Sequence, residues 1–306
     1  MAKVVVIGSG AMGSIYAVLM ADAGHQVSIV DTDAEHVAAI QAHGLRVEGA
    51  SGDRTIRMPA STDIQDAEPA DHIIIATKYD GVADAARKAM TMLRDDTDLV
   101  TVQNGLGSAD IVAGIVGGDR LSMGVVGGFQ ANLKAPGHSF HNGMEMVRFG
   151  SYGAHDEARL NRIADIWKSA GFDAKVFDDI HRMVWDKLLI NCAVNGPCAI
   201  TDLRVGPLMQ DPNGREISHA CITEAFNVAK AKGIALSIDD PIAYLMGYAE
   251  RMPNGFPSTA QDHAARKKGE IDAINGAIPR EGVKVGVDAP MNHFVRTLIK
   301  ARESAF

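Results

Sequence analysis

The chain has 306 residues, of which 46% are hydrophobic and 22% charged, and its formal net charge is −8. This length and composition predict a globular protein of two domains whose core needs no disulfide bonds. The acidic balance, without a long run of Lys or Arg, argues against nucleic acid or an anionic membrane as a partner. The three cysteines lack the spacing of a metal site or a disulfide framework, and no apolar run is long enough to span a membrane. We therefore predict a cytoplasmic protein without a bound metal.

Short apolar runs alternate with helix-prone stretches through the first 102 residues. This alternation predicts an α/β fold with a Rossmann-type, doubly wound parallel sheet. Residues 121–150 are rich in Gly and β-prone residues, and we assign them to strands at the edge of the same sheet. In chain order, the predicted elements are strands at 3–7, 26–30, 71–76, 99–102 and 174–177, with helices at 11–23, 81–93 and 156–170.

A helical pattern dominates from about residue 178 onward, and this shift is our predicted domain boundary. We expect residues 1–178 to form a dinucleotide-binding Rossmann domain. Residues 179–306 are expected to form an all-helical domain that binds the substrate and carries the catalytic groups. Its predicted helices cover about 179–197, 211–232, 239–251, 258–281 and 288–303.

A glycine-rich turn follows the first predicted strand and opens the first predicted helix. The turn matches the GxGxxG pattern of dinucleotide-binding proteins, and its residues are Gly8, Ser9, Gly10, Ala11, Met12 and Gly13. Gly8 would allow the tight turn, Gly10 would leave room for the pyrophosphate, and Gly13 would let the helix press against the strand. Free N–H groups at the start of the helix would bind the phosphates. The alternative is a glycine-rich turn in a protein that binds no nucleotide.

Asp31 ends the second predicted strand, 18 positions after Gly13. A carboxylate at this place can accept hydrogen bonds from the adenosine ribose of NAD, and it repels the 2′-phosphate of NADP. The next two residues, Thr32 and Asp33, supply no cation to offset that repulsion. We therefore predict NAD as the preferred cofactor, with NADP as the alternative. The other interpretation of Asp31 is a cap for the following helix, a role that Asp33 fills as well.

Two further polar residues follow later strands at the carboxyl edge of the predicted sheet, where such folds bind their ligands. Lys78 lies just beyond the third strand, and Asn104 lies just beyond the fourth. We predict that both residues contact the cofactor. An ordinary surface lysine and a turn asparagine are the alternatives.

Three polar side chains form a stripe on an otherwise apolar predicted helix. Lys187, Asn191 and Asn195 are spaced four residues apart, and most residues between them are apolar. Because an unpaired buried polar group costs about 1–3 kcal/mol, such a stripe predicts a substrate site. Lys187 would act as the general acid that protonates the oxygen on which hydride transfer leaves negative charge. The alternative is a solvent-exposed stripe on an amphipathic helix.

Ser258 and Glu270 are the remaining candidates for this site. Ser258 begins a predicted helix, and a helix N-terminus suits a substrate carboxylate. With Gln261 it also matches a capping box, which is the structural alternative. Glu270 lies twelve residues further on and by itself would pass for a surface residue.

The order of these motifs resembles that of the ketopantoate reductase (2-dehydropantoate 2-reductase) family over nearly the whole chain. The resemblance implies a Rossmann domain followed by a helical domain, and the reduction of 2-dehydropantoate to pantoate in pantothenate biosynthesis. The motifs that carry the resemblance lie at 8–13, 77–79, 103–105, 136–138 with His141 and Gly143, 185–195, 258–262 and 270–276.

The resemblance also implies roles for single residues. Lys187 would be the general acid, and Glu270 would help to order the catalytic site. Lys78 and Asn104 would lie near the nicotinamide. The residues that would hold the substrate are Asn191, Asn195 and Ser258.

Two departures from the family pattern leave other substrates open. Asp31 stands where the family often has Arg, which favours NAD, and residues 196–198 are Gly-Pro-Cys where a Pro-Leu-Thr-like run is common. One alternative is an NAD-dependent paralogue that dehydrogenates another 2- or 3-hydroxy acid, including the β-hydroxyacid dehydrogenase group. The other is an NAD(H)-sensing module without turnover. For the assembly we predict a homodimer, which the sequence by itself does not fix.

Overall fold

The computed structural model describes residues 1–128, 130–143 and 146–306. Contacts group these residues into two compact units, 1–103 with 108–180 and 104–107 with 181–306. The strands are β1 Lys3–Ile7, β2 Gln26–Val30, β3 Leu45–Gly49, β4 Arg54–Ile56, β5 Ala60–Ser61, β6 His72–Ile75, β7 Asp98–Thr101, β8 Leu121–Gly127, β9 Gln130–Ala135, β10 His138–Gly143, β11 Met146–Ser151 and β12 Ala174–Val176. The α-helices are α1 Ala11–Asp22, α2 Ala34–His43, α3 Val82–Met90, α4 Ser108–Val116, α5 Glu157–Ser169, α6 Ile180–Thr201, α7 Val205–Gln210, α8 Pro212–Ala231, α9 Pro241–Arg251, α10 Ser258–Ala264, α11 Ala277–Val285 and α12 Pro290–Glu303.

The first unit is built on an eight-stranded sheet with the order β12-β11-β8-β7-β6-β1-β2-β5. All neighbouring strands are parallel except β8 and β11. Residues 4–7 and 72–75 are buried, as expected for central strands that are covered on both faces. The structure therefore confirms the predicted Rossmann-type sheet. The strand order reverses at β1, and such a switch point is where open α/β sheets bind their ligands.

Residues 130–143 belong to a second sheet, which has the order β4-β3-β10-β9 and packs against α1. The prediction that the whole stretch 121–150 lies at the edge of the main sheet is therefore wrong for β9 and β10. β8 and β11 do belong to the main sheet, although β12 and not either of them is its outermost strand. Strands inside the main sheet are buried on both faces, whereas β9 is largely exposed and needs only one covering element. Residues 129, 144 and 145 of this stretch lie outside the described residues.

The second unit is helical, and α6 runs through its core, with residues 188–190 and 192–199 buried. The predicted helix at 258–281 is wrong in its middle, because α10 ends at Ala264 and α11 begins only at Ala277. Arg266 adopts a φ of +52°, which ends the helical path, and residues 271–276 form turns. Within the described ranges, no helix combines the length and the apolarity that a membrane span requires.

A buried histidine lies in the aromatic core of the first unit. Trp167 packs against Tyr16 and Phe172 at ring-centroid distances of 4.9 and 4.8 Å. Its indole N–H donates a hydrogen bond to Nε2 of His72 at 3.0 Å, so this imidazole is held as a neutral acceptor. Burial lowers the pKa of His72 from 6.5 to about 4.

We expect this histidine to make the folding stability of the first unit depend on pH. The unfolded chain binds a proton near pH 6.5, whereas the folded chain binds it only near the pKa of about 4, so stability falls as the pH drops between these values. The loss amounts to about 3 kcal/mol at 1.36 kcal/mol for each pKa unit. His72→Gln keeps an acceptor without titrating, and urea unfolding at several pH values should show a shallower acid loss in this variant. Equal slopes for both proteins would contradict the expectation.

Candidate active site

The glycine-rich turn is held together by contacts that only glycine permits. Gly8 has a φ of +93°, and a Cβ there would lie 2.6 Å from the backbone nitrogen of Thr77. A Cβ on Gly13 would overlap the carbonyl oxygen of Gly8, so α1 can press onto the turn only without a side chain at this position. A Cβ on Gly10, by contrast, would have no atom within 4 Å.

The space at Gly10 is open, as a bound pyrophosphate would require. It opens beside the first residues of α1, whose N-terminal N–H groups suit a pyrophosphate. Ala11 and Met12 form the first turn of that helix, between Gly10 and Gly13. The turn also lies at the switch point of the sheet, so the predicted residues can hold the phosphates of a nicotinamide dinucleotide.

Asp31 is bonded to this turn. Its Oδ2 accepts hydrogen bonds from the backbone N–H of Ser9 at 2.5 Å and from the Ser9 hydroxyl at 3.0 Å. Its Oδ1 accepts from the backbone N–H of Asp33 at 2.9 Å. The interpretation of Asp31 as a helix cap is wrong, because Asp33 caps α2 by accepting from the backbone N–H of His36. Among the described residues, no cationic side chain forms an ion pair with Asp31.

Lys78 and Asn104 lie in different units. Lys78 is exposed and precedes a short 3-10 turn, Tyr79–Gly81, after β6 in the first unit. Asn104 belongs to the second unit, as part of the short segment 104–107. There its Oδ1 accepts a hydrogen bond from Nζ of Lys187 at 2.6 Å. The structure thus brings Asn104 to the predicted general acid.

A two-point attachment fixes the segment that carries Asn104. The backbone N–H of Leu106 donates to the carbonyl of Ala273 at 2.8 Å, and the Arg280 guanidinium donates to the carbonyl of Leu106 at 3.2 Å. Gly105 has a φ of +80°, and a Cβ there would overlap the same Ala273 carbonyl. Sequence reasoning missed this role of Gly105, although an Asn-Gly pair after a strand signals a backbone that needs glycine.

Lys187 is a half-buried lysine with a lowered pKa. Burial disfavours the charged ammonium, while the negative charge of Glu270 partly offsets that effect. The net result lowers the pKa of Lys187 from 10.5 to about 8. A lysine with this pKa is still mostly protonated at pH 7 and can release its proton in turnover.

Asn195 and Ser258 are in direct contact. The Ser258 hydroxyl donates to Oδ1 of Asn195 at 3.0 Å, and the backbone N–H and hydroxyl of Thr259 both lie 3.3 Å from the same oxygen. The capping-box interpretation of Ser258 is wrong, because Pro257 is the N-cap of α10 and the Gln261 amide donates to the carbonyl of Phe256. Asn195 thereby links α6 to the start of α10.

Asn191 lies between Lys187 and Asn195 on the same stripe of α6. It is partly exposed, and among the described residues its side chain has no hydrogen-bond partner. Its amide is therefore available to a ligand. Together, these residues form one polar surface on the second unit. It carries the ammonium of Lys187, the free amide of Asn191 and the hydroxyl of Ser258.

Residue 196, where the chain departs from the family pattern, has a packing explanation. A Cβ on Gly196 would overlap a side-chain methyl of Val295 and would lie 3.0 Å from Oδ1 of Asn275. A side chain at this position would therefore require Val295 on α12 and Asn275 to move away from α6. Gly196 therefore lies where α6 packs closely against Val295 and Asn275 in the core of the second unit.

Family models of ketopantoate reductases match both parts of the chain. The model described as Ketopantoate reductase PanE/ApbA matches residues 4–154. The model described as Ketopantoate reductase PanE/ApbA C terminal matches residues 179–303. Between them, the two models include every candidate residue described above.

Individual proteins resemble the chain over its full length. A 2-dehydropantoate 2-reductase of Pyrococcus horikoshii is 30% identical over 99% of this chain and 98% of the relative, and one of Streptococcus pyogenes is 26% identical over 98% of each. A PanE/ApbA family ketopantoate reductase from Ralstonia eutropha is 31% identical over 99% of each chain, with a TM-score of 0.89. D-mandelate dehydrogenase, in its ternary structure with NADH and anilino(oxo)acetate, is 28% identical over 99% of each chain, with a TM-score of 0.91.

Proposed function

The chain belongs to the ketopantoate reductase family of oxidoreductases, and from this we propose that it reduces 2-dehydropantoate to pantoate with a nicotinamide dinucleotide. The observation that carries the proposal is Lys187, whose ammonium is desolvated on α6 and donates a hydrogen bond to the side-chain amide oxygen of Asn104. Such a group suits a reaction in which a carbonyl oxygen gains negative charge and must be protonated.

Each residue of the polar surface then has a chemical task. A bound reduced nicotinamide supplies the hydride to the carbonyl carbon of the substrate. Lys187 stabilises the charge on the oxygen and gives it a proton. Asn104 orients the Nζ atom for this transfer. Glu270 keeps the lysine protonated at neutral pH, because its charge raises the pKa that burial lowers.

Substrate binding is proposed for the rest of the stripe. The Asn191 amide contacts the substrate directly, since it is partly exposed and unpaired among the described residues. Ser258 offers its hydroxyl oxygen as an acceptor, and the hydrogen bond that it donates to Asn195 fixes its orientation. Asn195 therefore acts chiefly by holding Ser258 in place.

The cofactor is proposed to be NAD. Asp31 lies against the glycine-rich turn and has no cationic partner among the described residues, so a 2′-phosphate would meet an uncompensated carboxylate. NADP, which the family typically uses, is the alternative. Lys78, exposed after β6, is proposed to contact the cofactor from the same unit.

A second candidate function has a specific observation in its favour. D-mandelate dehydrogenase resembles this chain over its whole length and was solved with NADH, and Asp31 also favours NAD. The chain is then an NAD-dependent dehydrogenase that oxidises another 2-hydroxy acid, with Lys187 accepting the proton. A 3-hydroxy acid and a sensing role without turnover have no comparable support.

A turnover screen decides between these functions. Purified protein is assayed with 2-dehydropantoate, other branched and aryl 2-oxo acids, the corresponding 2-hydroxy acids and a 3-hydroxy acid, each with NADH or NADPH or the oxidised forms. The proposal expects the highest kcat/KM for 2-dehydropantoate. A higher value for an aryl 2-oxo acid selects the second candidate, and no turnover with any acid selects the sensing role.

Replacing Gly105 by Ala tests whether the 104–107 segment positions the acid. A Cβ would push the segment off the Ala273 carbonyl and move Asn104 away from Lys187, so kcat/KM should fall by about 10- to 100-fold. Gly114→Ala in α4 is the control, because its Cβ would enter open space. Kinetics and thermal unfolding are measured for both variants. An unchanged kcat/KM in a folded Gly105→Ala protein would refute this role.

A further inference from the structure

Glu303, near the end of the chain, is a buried carboxylate that is 2% exposed. Its Oε1 accepts a hydrogen bond from the backbone N–H of Gly269 at 2.7 Å. The same oxygen lies 3.4 Å from Nε2 of His263, and Oε2 lies 3.4 Å from Nζ of Lys300. Gly269 immediately precedes Glu270, so this carboxylate holds the backbone next to the charge that acts on Lys187.

Burial of this carboxylate is not explained by stability alone. Removing a carboxylate from water costs several kcal/mol, and apolar residues of similar volume often stabilise a core as well or better. Glu303 instead joins three parts of the second unit, namely α12, the end of α10 and the 265–270 loop. In some proteins, a buried polar group of this kind selects one arrangement of the elements that it connects.

Both connected elements lead to the polar surface on α6. α10 begins with Ser258 and Thr259, which are bonded to Asn195. The loop after α10 carries Glu270. Glu303 therefore has contacts with the far end of the helix that presents Ser258 and with the residue next to Glu270.

Neighbouring residues at the chain end reinforce this attachment. The Phe306 ring packs edge-on against His263 at a centroid distance of 5.0 Å, and the Arg266 guanidinium lies over the same ring. Arg302 donates a hydrogen bond to the carbonyl of Ala199 on α6. The end of α12 is thus fixed to α6 as well as to α10 and the loop.

We propose that Glu303 is a positioning residue, which fixes the Gly269–Glu270 backbone so that Glu270 lies within electrostatic reach of Lys187. The inference rests on the proposed function, because it gives Glu270 a task through the general acid. Without the Gly269 hydrogen bond, the loop moves and Glu270 no longer offsets the desolvation of Lys187. The pKa of Lys187 then falls, and the acid is deprotonated at a lower pH.

The test measures the protonation of Lys187 directly. The protein is labelled with ¹³C at lysine Cε, the Lys187 signal is identified by its loss in Lys187→Arg, and its chemical shift is followed with pH. Glu303→Met fills the same space without an acceptor and should lower the pKa of Lys187 by about 0.5 or more. Glu303→Gln retains an acceptor oxygen for Gly269 and should restore the wild-type value.

A matched control removes a buried carboxylate elsewhere in the second unit. Glu281 is 7% exposed and is bonded to Lys232 and Lys284. Glu281→Met should lower the melting temperature without changing the pKa of Lys187. If Glu303→Met does not fold, Glu303→Asp withdraws the acceptor while keeping the charge, and the same fall is expected.

Kinetics separate this inference from the proposed function. If 2-oxo acids are reduced, Glu303→Met should move the pH range in which kcat/KM falls to lower pH. A pKa lower by about 0.5 reduces kcat/KM by about threefold at any pH within that range. A folded variant with an unchanged pKa of Lys187 would overturn the role of Glu303, even if the enzyme is active. Absence of all turnover would overturn the proposed function, while the NMR titration still tests Glu303.

Discussion

Replacing Lys187 with Met is expected to lower kcat/KM for the reduction of a 2-oxo acid by about 10³-fold or more. Loss of a general acid costs about 10²- to 10⁴-fold, and loss of a preorganised charge at the developing oxyanion adds to this. Cofactor affinity should change little, because the glycine-rich turn and Asp31 lie in the other unit. Steady-state kinetics and a fluorescence titration with NADH measure the two quantities separately.

The pH dependence of the wild-type enzyme gives the same prediction a second signature. Reduction needs Lys187 protonated in the free enzyme, and its pKa is about 8. We expect kcat/KM to be level below that pH and to fall tenfold for each pH unit above it. In the oxidative direction, the deprotonated amine is needed, so kcat/KM should rise instead of fall through the same pH range.

Lys187→Arg separates the charge from the proton. A guanidinium keeps the positive charge but does not release a proton near neutral pH. This variant should retain more activity than Lys187→Met, and its kcat/KM should not fall as the pH rises through 8. Lys284→Met, which removes an exposed lysine of α11, should behave as the wild type. A Lys187→Met enzyme with activity close to wild type would show that the acid is another group.

Much of the first unit could be predicted from local patterns. Strands such as 3–7 and 26–30 are short apolar runs bounded by turn residues, and burial on both faces makes such runs distinctive. The second sheet could not be placed this way, because β10 pairs with β3 across a long sequence separation and β9 joins the sheet only through β10. Strand alternation identifies one covered face but does not say which element covers it.

The residues of the candidate site were easier to predict from the sequence than the hydrogen bonds between them. The polar stripe on α6 stands out because four-residue spacing and apolar neighbours are local features of the sequence. The contact between Asn104 and Lys187 spans 83 positions, and the contact between Gly269 and Glu303 spans 34. Such contacts depend on how loops pack. The helical pattern at 258–281 gives no sign of the break in the helix between α10 and α11, and the contact between Gly269 and Glu303 forms at that break.

Asp31→Asn is expected to change the cofactor preference by roughly 100-fold in the ratio of kcat/KM for NADPH to that for NADH. The amide removes the charge that repels a 2′-phosphate, and with it the charged acceptor for the ribose hydroxyls of NAD. It keeps an oxygen that can still accept from the Ser9 N–H, which the carboxylate now does at 2.5 Å. The glycine-rich turn should therefore stay folded.

Two further variants show which property of Asp31 matters. Asp31→Ala removes the acceptor as well as the charge, so the turn loosens and kcat/KM should fall with both cofactors. Asp33→Ser removes a neighbouring carboxylate but keeps a good N-cap for α2, and the cofactor ratio should stay within about threefold of wild type. If Asp33→Ser shifts the ratio as much as Asp31→Asn, the preference comes from the overall negative potential of this edge. If only the Asp31 variants change the ratio, the cofactor preference comes from the one carboxylate that Ser9 holds against the turn. A 2′-phosphate would meet that charge at close range, because Asp33 is bonded to the start of α2 instead.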